Sequence, residues 1–117
     1  MNIRQVIEKL SLNCITKPEE QLLDQEITGG FVSDLLSNVM GKAKSGDLWV
    51  TVQAHQNIIA VASLANLSVV IVAGGTKLET ETTARAVKEK VILCTTVLSA
   101  FEVVGRLYQL GIKGHDS

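Results

Sequence analysis

The sequence predicts an α/β domain built on a mostly parallel sheet, and three observations carry that expectation. Three short runs rich in β-branched and apolar residues recur in the second half, at Leu48–Val52, Val69–Ala73 and Val91–Thr95. Each is followed by a helical segment, at residues 57–66, 79–90 and 99–110. Such alternation indicates right-handed βαβ crossovers, because continuous apolar strands must be covered on both faces. Finally, 117 residues with 46% apolar content suit one domain over 1–117 with a real core and no staples.

Taken in order, Ile3, Val6, Ile7 and Leu10 recur at helical spacing and predict a short amphipathic helix over 2–10. Leu12 to Thr16 reads as a strand or extended segment before the only proline, Pro18. Residues 18–26 form a polar connection with Leu22 and Leu23 turned inward, and Ile27 to Val32 is extended chain broken by Gly29-Gly30. Leu35, Leu36, Val39 and Met40 predict a helix ending near Gly41, and Ser45-Gly46-Asp47 is a turn. The last helix is punctuated at both ends. Ser99 and Glu102 have capping-box spacing, Gly111 suits a left-handed residue after the last turn, and Ile112 can pack back on it. Residues 113–117 are expected to fray.

Several function classes are excluded by composition. Net charge is −1 and lysines stand singly, which argues against a nucleic-acid partner. Residues 1–15 alternate charged and apolar groups, so they do not form a signal peptide. The apolar stretch Ile58–Leu67 is about half the length a bilayer span needs, which argues against a membrane. Cys14 and Cys94 lack a C-x-x-C partner and read as small buried hydrophobes in a reducing cytoplasm. His55, His115 and the two cysteines have no metal-ligand spacing, and no cofactor is expected.

Parallel strands share one carboxyl edge, and ligands of open α/β sheets bind in the crevice there. The three strands run out into Gln53-Ala54-His55-Gln56-Asn57, Gly74-Gly75-Thr76 and Thr95-Thr96. Chain order therefore gathers an imidazole, amides, bare glycine backbone and hydroxyls, a set suited to a phosphate or small polar ligand. A glycine pair before a helix lets backbone N–H groups approach an anion; equally, it makes a tight turn with Thr76 as a cap. His55 can contact a ligand or simply sit in a surface turn, and Asn57 can cap its helix. Gly29 and Gly30 form a second pair whose relation to this crevice the pattern leaves open. Catalytic signatures are missing: Gly41-Lys42 is followed by Ala43, Gly75 by Thr76-Lys77, and the carboxylates cluster in 19–26 and 79–89.

The helix Ile58–Leu67 is apolar on every side of its wheel, whereas an outer helix on a sheet needs one polar face. Two covers are possible: the N-terminal helix of the same chain, or a second subunit meeting Ile59, Ala62, Ser63 and Asn66. The second makes the protein a homodimer.

The run Glu26-Ile27-Thr28-Gly29-Gly30-Phe31-Val32-Ser33-Asp34-Leu35-Leu36-Ser37, then Gly46-Asp47-Leu48-Trp49-Val50-Thr51, resembles stand-alone DRTGG-domain proteins. The resemblance continues through His55–Ala62 and Val72-Ala73-Gly74-Gly75 to Ser99–Leu107, nearly the whole chain. That family is similar in fold to the N-terminal domain of HPr kinase/phosphorylase, so the resemblance implies a three-layer α/β/α architecture. It also implies an accessory regulatory role, with self-association and with chemistry left to other domains. Two positions depart from the family pattern. Ala73 stands where threonine is typical, and Gln53-Ala54-His55 stands where Asp-Arg would be, so no arginine is there to hold a phosphate. The expectation is a cytoplasmic, non-catalytic, homodimeric domain that senses a small polar ligand, such as a nucleotide or phosphorylated metabolite, at the carboxyl edge. The alternative is an interaction module docking on a kinase, phosphatase or metabolic enzyme.

Overall fold

The apolar runs of the second half become adjacent parallel strands, and the first half supplies both edges of the same sheet. The structure, a computed structural model, describes residues 1–116. In chain order its elements are α1 (Ile3–Leu10), β1 (Asn13–Cys14), α2 (Glu20–Leu23), β2 (Gly30–Val32), α3 (Leu36–Lys42), β3 (Leu48–Thr51), α4 (Asn57–Leu64), β4 (Val69–Val72), α5 (Thr80–Glu89), β5 (Leu93–Thr95) and α6 (Ala100–Gln109). The strand order is β1-β5-β4-β3-β2, parallel throughout except for β1, which pairs antiparallel with β5. No helix among the described residues is long and apolar enough to cross a membrane.

Alternate strand residues feed two separate cores. On one face α1 and α6 bury Ile3, Val6, Val103 and Leu107 against Leu48, Val50, Val69 and Ile71. On the other, α3, α4 and α5 bury Val39, Ile58, Ile59 and Ala86 against Trp49, Val70, Val72 and Leu93. Two-sided burial explains why the strands read as continuous apolar runs. Trp49 is enclosed completely, and its indole N–H donates to the Ser33 carbonyl at 2.9 Å, so burial leaves no polar atom unpaired.

Most of the apolar wheel of α4 is filled within the chain, although Leu64 in its last turn is 76% exposed. α4 packs against both α3 and α5, and Ile59 and Ala62 have no surface left for a second subunit. Ser63 and Asn66 do reach the surface, but the Asn66 amide is held by the Ser45 hydroxyl at 2.6 Å. The N-terminal helix is not the cover either, because α1 lies on the opposite face.

Four helices end in the same way. Ser11, Asn66, Lys90 and Gly111 adopt φ values of 52, 54, 58 and 96°. The next residue in each case (Leu12, Leu67, Val91 and Ile112) donates its N–H five positions back, to Ile7, Ala62, Ala86 and Leu107, each at 3.0 Å. This is the Schellman arrangement, in which the apolar residue after the left-handed one docks on the core. Only the Gly111 example announces itself in sequence, since the others place a side chain where glycine is favoured. The box expected at Ser99 is half made: Ser99 Oγ accepts from the Glu102 N–H at 3.2 Å, while the Glu102 carboxylate pairs with Arg106. The complete capping box is at α1, between Asn2 and Gln5.

The tail is not frayed over its described part. Lys113 O accepts from Gly30 N–H at 3.0 Å, and the Lys113 ammonium lies 5.5 Å from the Tyr108 ring centre. Ser117 lies outside the described residues.

Lys90 is the least suited of the four left-handed residues, lacking the short polar side chain of Ser11 and Asn66. Lys90→Gly is expected to raise stability by about 0.5–1 kcal/mol, read as a higher urea midpoint at unchanged slope.

Candidate functional site

At the carboxyl edge the loops are laced to one another. After β4, Gly74 and Gly75 take φ values of 80 and 69°, a backbone open to glycine. That turn aims their N–H groups at Leu98 O (2.7 Å) and Thr96 O (2.9 Å), so both amides are used inside the protein. Thr76 Oγ1 donates to Ala73 O at 3.1 Å and closes the turn. Thr96 N–H continues the ladder to Val72 O, and its hydroxyl accepts from Leu98 N–H. Thr95 stands in register with Val72 and, across the antiparallel edge, with Asn13. The glycine pair is thus a clamp on the loop after β5 rather than an open cradle for an anion.

The residues after β3 are tied down as well. Asp34, which follows β2, accepts from Thr51 Oγ1 at 2.7 Å and Val52 N–H at 2.9 Å, and its carbonyl accepts from the Gln53 side-chain amide. His55 Nδ1 accepts from Asn57 N–H at 3.1 Å, so the imidazole rather than Asn57 caps α4. The Ala54 carbonyl accepts from the Thr82 hydroxyl at the start of α5. Gln53, His55, Asn57, Gly74, Gly75, Thr76, Thr95 and Thr96 do share this edge, as chain order requires. His55 and Asn57 are exposed there, and so are apolar side chains on the neighbouring segments. Val97 is 87% and Phe101 89% exposed after β5, and Leu35 and Val52 are exposed after β2 and β3.

Gly29 and Gly30 lie at the opposite edge, where β2 begins beside Leu48. Their role there is steric. A Cβ on Gly29 would sit 2.7 Å from His115 Nε2, so only glycine lets the imidazole through. Nε2–H of His115 donates to Asp47 Oδ1 at 2.5 Å. The same carboxylate accepts from Thr28 Oγ1 at 3.1 Å and Lys44 N–H at 2.9 Å, and Asp47 has no exposed surface. Three donors offset the cost of burying that charge. Gly46 shapes the turn at φ 86°, with Thr28 packed where its side chain would be.

A cleft of about 460 Å³ opens beside β2, walled by Phe31, Val50, Leu107 and Tyr108 with Lys42 and His115 at its margin. Asp34, Asp47, His115 and this cleft were not singled out from sequence. A clue existed for Asp47, a carboxylate in a glycine turn directly before a fully apolar strand.

No family model matches this chain, and no curated protein matches it. A solved structure does share its fold: the CBS and DRTGG domains of the regulatory region of Clostridium perfringens pyrophosphatase, complexed with the activator diadenosine tetraphosphate. The TM-score is 0.71 at 18% identity, over 92% of this chain and 46% of that one. This chain therefore spans about half the length of its structural neighbour. The three-layer α/β/α fold with a mostly parallel sheet is DRTGG-like, as the sequence resemblance implied.

Asp47→Ala is expected to cost about 3 kcal/mol, since it removes the acceptor of Lys44 N–H and His115, while Thr28 Oγ1 keeps Ser45 O at 2.9 Å. Chemical denaturation checks this, and Gly29→Ala should reproduce the smaller loss of His115→Ala, because both remove the same contact.

Proposed function

We propose that this chain is a non-catalytic regulatory domain that works by surface contact through the apolar rim at its carboxyl edge, docking a second copy of itself there. The observation that carries this reading is the exposure of Phe101, Val97, Leu35 and Val52, which all follow strands at this edge or open the next helix. Exposed aromatic residues among aliphatic ones are typical anchors of protein interfaces. An apolar patch can meet its own image across a two-fold axis, as an isologous dimer requires. With α4 buried in the core, this rim takes over the role expected of Ile59 and Ala62. The non-catalytic reading is supported by the use of the glycine amides within the fold and by Asp34 serving as a loop tie. It is also supported by the regulatory region that shares the fold.

A ligand-sensing mode is the second reading, favoured by the dinucleotide complex of that structural neighbour. Two places compete for such a ligand. One is the carboxyl edge at His55 and Asn57, and the other is the cleft where Phe31 and Tyr108 offer rings and Lys42 a cation.

In sedimentation experiments the full chain should associate with rising concentration, and Val97→Ser/Phe101→Ser should remain monomeric. Because both side chains are solvent-exposed, the double variant should melt within about 2 °C of wild type. An unchanged association removes the rim from the proposal. For the second reading, diadenosine tetraphosphate at about 100 times its dissociation constant should add roughly 2.7 kcal/mol to stability. Loss of that shift in His55→Ala selects the carboxyl edge, loss in Lys42→Ala selects the cleft, and no shift in wild type ends the ligand reading.

A further inference from the structure

β1 is only two residues long, yet its pairing sets two cysteines from opposite ends of the chain directly across from each other. Cys14 is in register with Cys94, and Ile15 N–H donates to Leu93 O at 2.8 Å. That bond joins the residue after Cys14 to the residue before Cys94, which makes the cysteines a non-hydrogen-bonded antiparallel pair. Such pairs bring Cα atoms to about 4.5 Å, inside the roughly 4.4–6.8 Å that a disulfide spans. Both side chains belong to the α1/α6 face of the sheet.

The two thiols are not equivalent. Cys94 is fully buried on a central strand, whereas Cys14 is half-buried on the sheet's outermost strand. The Cys14 thiol is held by Thr16 O at 3.0 Å. Donation from the Cys94 thiol lowers Cys14 to about 7, with Thr16 acting the same way against the opposing effect of burial. Cys94 is pushed up, first by its bond to Cys14 and then by burial. Cys14 is therefore the more acidic and more accessible of the two sulfurs, and Cys94 the less acidic and better screened, the asymmetry of an attacking and a resolving cysteine.

We propose that Cys14 and Cys94 are a redox site that closes to an intrachain disulfide under peroxide and reopens under thiols. The Cys14 thiolate attacks one peroxide oxygen, the O–O bond breaks, and the departing hydroxide takes a proton to leave as water. Cys14 then carries a sulfenic acid. The Cys94 sulfur, giving up its proton, attacks the Cys14 sulfur. The S–O bond breaks, a second water leaves, and the S–S bond forms. The two thiols lose two electrons and the peroxide gains them. Closure fastens β1 to β5, the strand that leads into Thr96, Val97 and Leu98.

The test is titration of the full chain with hydrogen peroxide, followed by thiol counting and peptide mapping without reductant. The expected product is a chain not covalently joined to another, which has lost both thiols together, is cross-linked between Cys14 and Cys94, and is restored by dithiothreitol. Cys94→Ser should instead accumulate a Cys14 sulfenic acid that dimedone traps, and Cys14→Ser should react at least about tenfold more slowly than wild type. Alkylation of wild-type Cys14 should rise with a midpoint near pH 7, and that midpoint should move upward in Cys94→Ser. Wild-type protein that ends as over-oxidised Cys14 with Cys94 still a thiol, or as disulfide-linked dimers, overturns the proposal.

Discussion

Burial of the sheet on both faces is the constraint from which the remaining features follow. Every residue of β3 and β4 is enclosed, so the middle of the sheet has no place for a charge and almost none for a hydroxyl. Polar chemistry is therefore confined to the two ends of the strands. At the amino edge it takes the form of Asp47 and its three donors, and at the carboxyl edge that of Asp34 with Thr51 and Val52. In both places a carboxylate joins neighbouring segments through backbone and hydroxyl donors, enclosed at Asp47 and open to solvent at Asp34. The glycines at each edge serve these ties by letting a second segment come close.

The same constraint decides which parts of the fold are legible in sequence. Val69–Val72 and Leu48–Thr51 are unmistakable because two-sided burial removes every polar interruption, and α6 because Ser99 and Gly111 mark its limits. α4 misleads for the same reason: wedged between α3 and α5 above a sheet, it buries Ile58, Ile59, Val61 and Ala62 on several sides, so its sequence looks like an interface. β1 defeats periodicity, since two residues have no period, and its antiparallel partner lies at the far end of the chain. The pairing of Cys14 with Cys94 is hidden along with it.

The candidate site divides along similar lines. Chain order and strand direction suffice to bring His55, Gly74 and Thr96 to one edge. They carry no information on hydrogen-bond partners, and so not on the capture of the Gly74 and Gly75 amides by Leu98 and Thr96. The exposure of Phe101 was likewise hidden, because a phenylalanine in the first turn of an amphipathic helix reads as core. The second glycine pair is legible as a turn, but its position depends on β2 running parallel to β3 from the opposite edge.

The order in which the chain is synthesised gives the docked tail a further meaning. Asp47 emerges from the ribosome well before His115, and Cys14 well before its partner strand, so the outer strand β1 and the ties of Gly30 and Asp47 to the tail wait on the last third of the chain. A nascent chain that has reached only β4 holds β2, β3 and β4 in parallel, with β1 unpaired and one carboxylate short of a donor. Synthesis runs at about 5–20 residues per second, which leaves several seconds in that condition. Completion of the amino edge is then a closing step, made when Gly29 admits the imidazole and the chain can no longer open from that side without exposing a charge.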